Sequence, residues 1–344
     1  MIKTNNELKD FLHKIEAEKT LAIDTEFKRV NSYYPQLCLL QIACDSATDC
    51  IDVLADINLE PLFDKLYDEQ TLWVVHSARQ DIEALYCLCS CLPKQIFDTQ
   101  IAAGLVNYPM QVSYQALTES LQGVYLEKAY TRFDWTTRPL PDEAVQYALD
   151  DVKYLLQNHR LLTKALEQQS KIHWQTEESN TLLNESLYKP PISESWRRLK
   201  GFSRLSKKAQ LFAAQLASWR EYQAIKTNKP RRWVMSDDKL FAYATGKQKL
   251  SKLATTKFRD FVSKQPNLDT QDFSQKKHTP PTKAEKHQKQ MLQKLIQDKA
   301  NQYNLSAEML ANSKSILRYI RGDHTVGFCK GWRFELLRED LNAK

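Results

Sequence analysis

The runs that read as β-strands are confined to the beginning of the chain, and this confinement constrains the fold more than any other feature. TLAIDTEF (20–27) alternates after an apolar start. LCLLQIA (37–43) and TDCIDV (48–53) continue it as a meander, and LWVVHS (72–77) is a short buried run ahead of a helix. After that the spacing is helical, at about 78–88, 99–106 and 114–121, followed by a long helix that opens at Pro141-Asp142-Glu143 and runs to about 168. Strands followed by the helices that pack on them predict an α/β domain over 1–170.

Beyond residue 170 every pattern is helical. Residues 171–195 are polar and end in Lys189-Pro190-Pro191, the composition of a linker. Leu211, Phe212, Leu216, Trp219 and Tyr222 then recur at helical spacing, which places a small all-α domain over 196–266. A second polar break, 267–283, carries Pro280-Pro281. Leu292, Leu295, Ile296, Leu310, Ile316, Leu317, Ile320 and Trp332 mark another small all-α domain over 284–344.

Charge divides along the same line. Residues 1–170 hold 15 Lys+Arg against 25 Asp+Glu, a net −10, and residues 171–344 hold 34 against 17, a net +17. A basic half of this size is the footprint of a polyanion binder, because each neutralised phosphate releases counterions. No run of eighteen apolar residues is present and the first ten residues are polar, so the expectation is a cytoplasmic protein, not a membrane one. The seven cysteines are odd in number and scattered. The trio Cys87, Cys89 and Cys91 lacks a C-x-x-C step and reads as packing at a helix end.

Asp24 and Glu26 stand two apart on the first strand, so their side chains share a face near its C-terminal end, where open α/β sheets place their sites. Flanking Leu21, Ile23 and Phe27 mark that strand as covered. Asp81, in HSARQD, enters the helix after LWVVHS, and Tyr147 and Asp151 lie four apart on the long helix, hence on one helical face. Four converging carboxylates form an oxygen ligand set for two hard divalent cations, Mg²⁺ or Mn²⁺. Such a pair stabilises the attacking and leaving oxygens of a phosphodiester displacement. Asp150 is adjacent to Asp151, but a neighbour turned by about 100° on a helix faces elsewhere.

The blocks DTEF, HSARQDIEAL and YALDDVKYL resemble the three motifs of the DEDDy 3′→5′ exonuclease superfamily. YPQLCLLQIA, FDTQIAAGLV and KAYTRFDWTTRPL are similar to stretches of the ribonuclease D family. The resemblance implies a ribonuclease H-like exonuclease domain with a mixed sheet. Asp24, Glu26, Asp81 and Asp151 would be the metal ligands and Tyr147 the group that positions the attacking water. It extends over nearly the whole chain: SWRRLKGFSRL and WREYQAIKTNKPRRWVMSDDKLF look like an HRDC helical domain, and SILRYIRGDHTVGFCKGWRFELL resembles a more diverged second copy. The implied partner is RNA, with tRNA precursors carrying 3′ extensions as substrates and a monomer as the working form. His76 and Lys128 are candidate substrate contacts near the site. Lys229, Arg231, Arg232 and Trp233 join positive charge to an aromatic, a pairing that grips phosphate and stacks a base. Arg132, Trp135 and Arg138 match the family stretch without an assigned role. Two alternatives remain open at this level: a DNA 3′→5′ exonuclease, since two metals do not read the 2′-OH, and an inactive nucleic-acid-binding scaffold.

Overall fold

A computed structural model gives the fold for residues 1–127, 129–265, 273 and 280–342. The chain divides into two compact units. Unit 1 comprises 1–28, 37–184 and 280–344, and unit 2 comprises 29–36 and 185–279.

Unit 1 is built on a five-stranded sheet of order β3-β2-β1-β4-β5, with β1 Thr20–Lys28, β2 Gln36–Ala43, β3 Thr48–Asp52, β4 Leu72–Val75 and β5 Gln95–Asp98. It is mixed, as expected: β2 and β3 pair antiparallel, while β1 with β4 and β4 with β5 pair parallel. Four of the strands match the apolar runs. The fifth, QIFD, is too short for a periodicity to register and is recognised only by its parallel partner.

Helices α1 Asn5–Ile15 and α2 Glu60–Leu66 precede β1 and β4. α3 Arg79–Cys89, α4 Thr99–Leu105 and α5 Tyr114–Gln122 lie where helical spacing places them. The expected single long helix is instead two, α6 Asp142–Lys153 and α7 Leu155–Gln168, separated at Tyr154, whose backbone N–H donates a 3.3 Å hydrogen bond to the Tyr114 hydroxyl oxygen.

Two expectations about organisation are corrected. Residues 172–180, expected in a linker, form α8 Ile172–Asn180. Trp174 on this helix is buried and supplies apolar surface that the polar average of the segment hides. Residues 284–342 are not set apart as a third domain. Their helices α13 Lys283–Gln302, α14 Ala307–Leu310, α15 Ser313–Ile320 and α16 Gly331–Asn342 belong to unit 1. Leu292, Ile296, Met309, Leu310, Ile316 and Trp332 share one core with Ala103, Leu105, Leu162, Leu166 and Trp174, and the Trp174 and Trp332 rings stack at 4.6 Å and 16°.

Unit 2 carries α9 Lys207–Thr227, α10 Arg231–Val234, α11 Asp237–Ala244 and α12 Lys252–Ser263 around Trp196, Phe202, Leu216, Trp219, Phe258 and Phe261. The segment 29–36, which connects β1 to β2 in sequence, packs here. Asn228 Oδ1 accepts from the backbone N–H of Tyr33 and of Tyr34 at 3.1 Å each, and the Tyr33 hydroxyl donates to Glu221 at 2.5 Å. Among the described residues no helix is long and apolar enough to cross a membrane. The cysteines are free thiols: Cys38, Cys44 and Cys50 are buried, while Cys91, at the end of the trio, is exposed and not packed as expected.

Candidate active site

The cluster is built where β1 stops being buried. Leu21, Ala22 and Ile23 are sealed in the core, and beyond them the alternation of the strand turns Asp24 and Glu26 to one face. α6 lies on that face. It buries Ala144, Ala148 and Val152, and Tyr147 and Asp151 lie one turn apart along it. Carboxylate oxygens of Asp24, Glu26 and Asp151 come within 4.8 Å of one another. Asp150 is not in this group: its Oδ1 accepts a 3.0 Å hydrogen bond from Gln146.

Asp81 stands beside the trio rather than in it. It is buried in the first turn of α3, and its Oδ1 accepts a 2.5 Å hydrogen bond from Thr25, the residue between Asp24 and Glu26. Sequence reasoning missed Thr25, because the alternation of a strand turns it from its two acidic neighbours and only the fold brings Asp81 to its hydroxyl. Asp81 is still close enough for its charge to bear on Asp24, Glu26 and Asp151.

The electrostatics follow from putting these groups together out of water. Burial, followed by the charges of Asp81, Asp151 and Glu26, raises the Asp24 carboxyl well above its usual range. Burial, then Asp151 and Asp81, pushes Glu26 up to about 9. Asp81 is raised to about 7, mainly by burial, with the Thr25 hydrogen bond opposing, and Asp151 to about 7 by burial and then Asp150. Each shift records a carboxylate that is unfavourable as it stands. The donor set is entirely carboxylate oxygen, so it fits a hard divalent cation, whose charge would reverse the penalty.

Tyr147 packs its ring against Tyr130 at 5.8 Å and Trp135 at 6.3 Å. Its phenol is pushed up to about 12 by burial and then by Asp151, so at neutral pH it is a hydrogen-bond donor and not a base. Next to it lies a cavity of about 320 Å³, lined by Tyr125, Tyr130, Gln146, Tyr147 and Asp151 among others.

Not every candidate reaches this site. The His76 Nδ1 lies 2.9 Å from Thr99 Oγ1 and its Nε2 2.9 Å from the Val112 carbonyl, which leaves neither ring nitrogen for RNA; it ties β4 to neighbouring segments instead. Arg138 is held by both oxygens of Asp52 at 2.6 and 2.7 Å, Trp135 is buried and Arg132 is exposed. Lys128 lies outside the described residues. In unit 2, Arg231 pairs with both carboxylate oxygens of Glu221 and covers the Tyr33 ring at 4.8 Å. Lys229 and Arg232 are exposed, and Trp233, at 54% exposure, is no core residue. A cleft of about 590 Å³ runs between Arg29–Tyr33 and Pro230–Arg232.

A family model described as 3′-5′ exonuclease matches residues 1–169, the stretch that carries all four carboxylates and Tyr147. The first half of the chain therefore defines a 3′→5′ exonuclease. The whole chain is 31% identical to the ribonuclease D of Bartonella henselae, over 98% of this chain and 87% of that protein. It is 30% identical to the ribonuclease D of Sphingobium indicum, over 99% and 92%. In fold it is similar to Escherichia coli RNase D, described as an exoribonuclease involved in structured RNA processing. The TM-score is 0.83 at 24% identity, covering 100% of this chain and 97% of the other. The chain belongs to the ribonuclease D family and is a 3′→5′ exoribonuclease.

Proposed function

We propose that this exoribonuclease trims 3′-extended tRNA precursors and other RNAs, releasing nucleoside 5′-monophosphates by two-metal hydrolysis, as a monomer in the cytoplasm. The observation that carries the reading is the group of three carboxylates within 4.8 Å, partly buried and mutually repelling, with Asp81 beside them. In this reading Asp24, Glu26, Asp81 and Asp151 hold two Mg²⁺ or Mn²⁺ ions. Such a pair, when bound, lowers the pKa of water and stabilises the charge that develops on the phosphate.

The chain's own residues set the geometry. Thr25 fixes Asp81 through its hydroxyl. Tyr147, protonated and braced by Tyr130 and Trp135, orients the attacking water as a donor, and the cavity at its side admits the terminal nucleotide. The helices α9–α12 serve as an HRDC-type module, and α13–α16, packed into the core of unit 1, as a second, diverged copy. Lys229, Arg232 and the exposed Trp233 hold RNA by phosphate attraction and base stacking. Arg231 contributes mainly by fixing Tyr33 and Glu221 beside them.

The test uses the purified full chain and a 3′-extended tRNA precursor labelled at its 5′ end, with and without Mg²⁺ or Mn²⁺, beside a DNA strand of the same sequence. Stepwise shortening of the RNA only when metal is added supports the reading. Equal rates on RNA and DNA overturn the substrate assignment, and shortening without metal overturns the mechanism.

A further inference from the structure

Gln41 lies in the middle of β2 and is fully buried, yet neither its side-chain oxygen nor its side-chain nitrogen has a hydrogen-bond partner among the described residues. A buried amide without partners is costly, and native interiors rarely tolerate both of its atoms in that condition. Its position shows what it serves. In the β2–β3 register Gln41 stands opposite Cys50, and opposed residues of an antiparallel pair point to the same face. Leu39, two residues away and so on that face too, packs with Cys50 against Ala144 and Ala148 of α6, the helix that carries Tyr147 and Asp151.

The order β3-β2-β1 then puts Gln41 between Cys50 and the row of β1. Ala43, two residues after Gln41, and Ala22, two before Asp24, share one core with Leu155 and Leu162 of α7, so the alternation of the strands puts Gln41 and Asp24 on the same side of the sheet. The α6 residues packed into that cluster, Ala144 and Ala148, are alanines, which bring no polar group to the Gln41 amide. An amide oxygen, an amide nitrogen and a carboxylate supply the two to four polar partners that an internal water requires.

We propose that Gln41 is a positioning residue for the carboxylate cluster, its amide holding the Asp24 carboxylate through one buried water. The inference rests on the reading of the cluster as a metal site. Groups that orient metal ligands from behind are worth about 10- to 100-fold in metal affinity or activity. A residue retained for that role should be dispensable for stability, since an apolar side chain of similar volume removes the unpartnered amide.

The experiment is Gln41→Met in the full chain, compared with wild type in three measurements: Mn²⁺ titration followed by electron paramagnetic resonance, thermal unfolding without metal, and steady-state hydrolysis of labelled RNA. The expected result is an unchanged or higher melting temperature, Mn²⁺ affinity lower by about 10-fold or more, and a fall in kcat with KM unchanged. Unaltered Mn²⁺ affinity and kcat together with a lower melting temperature would make Gln41 a packing residue and overturn the proposal. If the variant does not fold, a high-resolution crystal structure of the wild type with Mn²⁺ decides. An ordered water joining the Gln41 amide to Asp24 supports the inference, and its absence there refutes it. A wild type that takes up no Mn²⁺ removes the metal-site reading and this inference with it; equal binding by wild type and variant removes only this inference.

Discussion

Asp150 and Asp151 are consecutive residues of α6 with different surroundings: Asp151 joins Asp24 and Glu26, whereas Asp150 takes a hydrogen bond from Gln146 at the surface. Asp151→Asn is therefore expected to abolish RNA shortening while leaving RNA binding largely intact, and Asp150→Asn to retain most turnover. Gel-resolved cleavage beside a binding assay of both variants checks this, and the reverse pattern would relocate the site. Tyr147→Phe removes only the hydroxyl from a ring that Tyr130 and Trp135 keep in place. We expect kcat to fall by about 10²- to 10⁴-fold, the range for loss of a positioned proton donor or acceptor, with Mn²⁺ affinity nearly unchanged. A rate within a few-fold of wild type would remove the tyrosine from the mechanism. Spacing alone suffices to choose Asp151 over Asp150, because a helix rotates by a known angle per residue. It does not expose Thr25 or Gln41, whose significance depends on what the folded chain brings, or fails to bring, within hydrogen-bonding distance.

Among the elements, those with a long apolar period are legible and those stabilised by tertiary contacts are not. β1 and β2 announce themselves through Leu21–Ile23 and Leu37–Ala43, whereas β5 is four residues long and α8 has polar neighbours that mask Trp174. Lys171, at the entrance to α8, is an example of what composition conceals. Almost wholly buried, it donates to the Leu105 carbonyl at 2.7 Å, the Gln169 side chain at 2.7 Å and the Asn304 carbonyl at 2.9 Å. Lys171→Met would keep the length of the side chain and leave these acceptors unpaired, at a cost of about 1–3 kcal/mol for each that water cannot reach. Urea denaturation measures it, and an unchanged midpoint would show that the ammonium is not needed.

At the start of α13, Arg321 hydrogen-bonds the Glu285 carboxylate, and with the Thr282 backbone it lowers that carboxyl from its ordinary 4.5 to about 2. A carboxyl depressed by folding adds stability that is complete above pH 4.5 and lost as pH falls toward about 2. Amide exchange at the first turn of α13 should therefore accelerate across that window in wild type and show no such transition in Glu285→Gln.

For the whole molecule the division of labour is not the simple split that charge suggests. The acidic α/β part does end near residue 170 in sequence, but unit 1 resumes at 280 and completes its core with Leu292, Ile296, Leu310, Ile316 and Trp332. Each buried side chain of this kind is worth about 1.5–3 kcal/mol, and their sum rivals the about 5–15 kcal/mol by which a domain is stable at all. A chain ending at residue 195 is thus expected to lose cooperative unfolding and to bind a hydrophobic dye. A sharp melting transition in that fragment would show the α/β part to be self-sufficient. Pattern reading places a boundary at the Pro280-Pro281 break because prolines interrupt helices. They do not show to which core the next helix returns.

That return fixes an order of assembly during translation. The ribosome releases the strands and α1–α8 first, then the helices of unit 2, and only afterwards α13–α16, which bring Trp332 to its stacking partner Trp174. Until then the nascent nuclease body exposes the apolar surface that those last helices cover, the condition in which chaperones and proteases engage a polypeptide. A chain stalled within unit 2 consequently leaves the partners of Trp332, Leu292 and Ile296 uncovered.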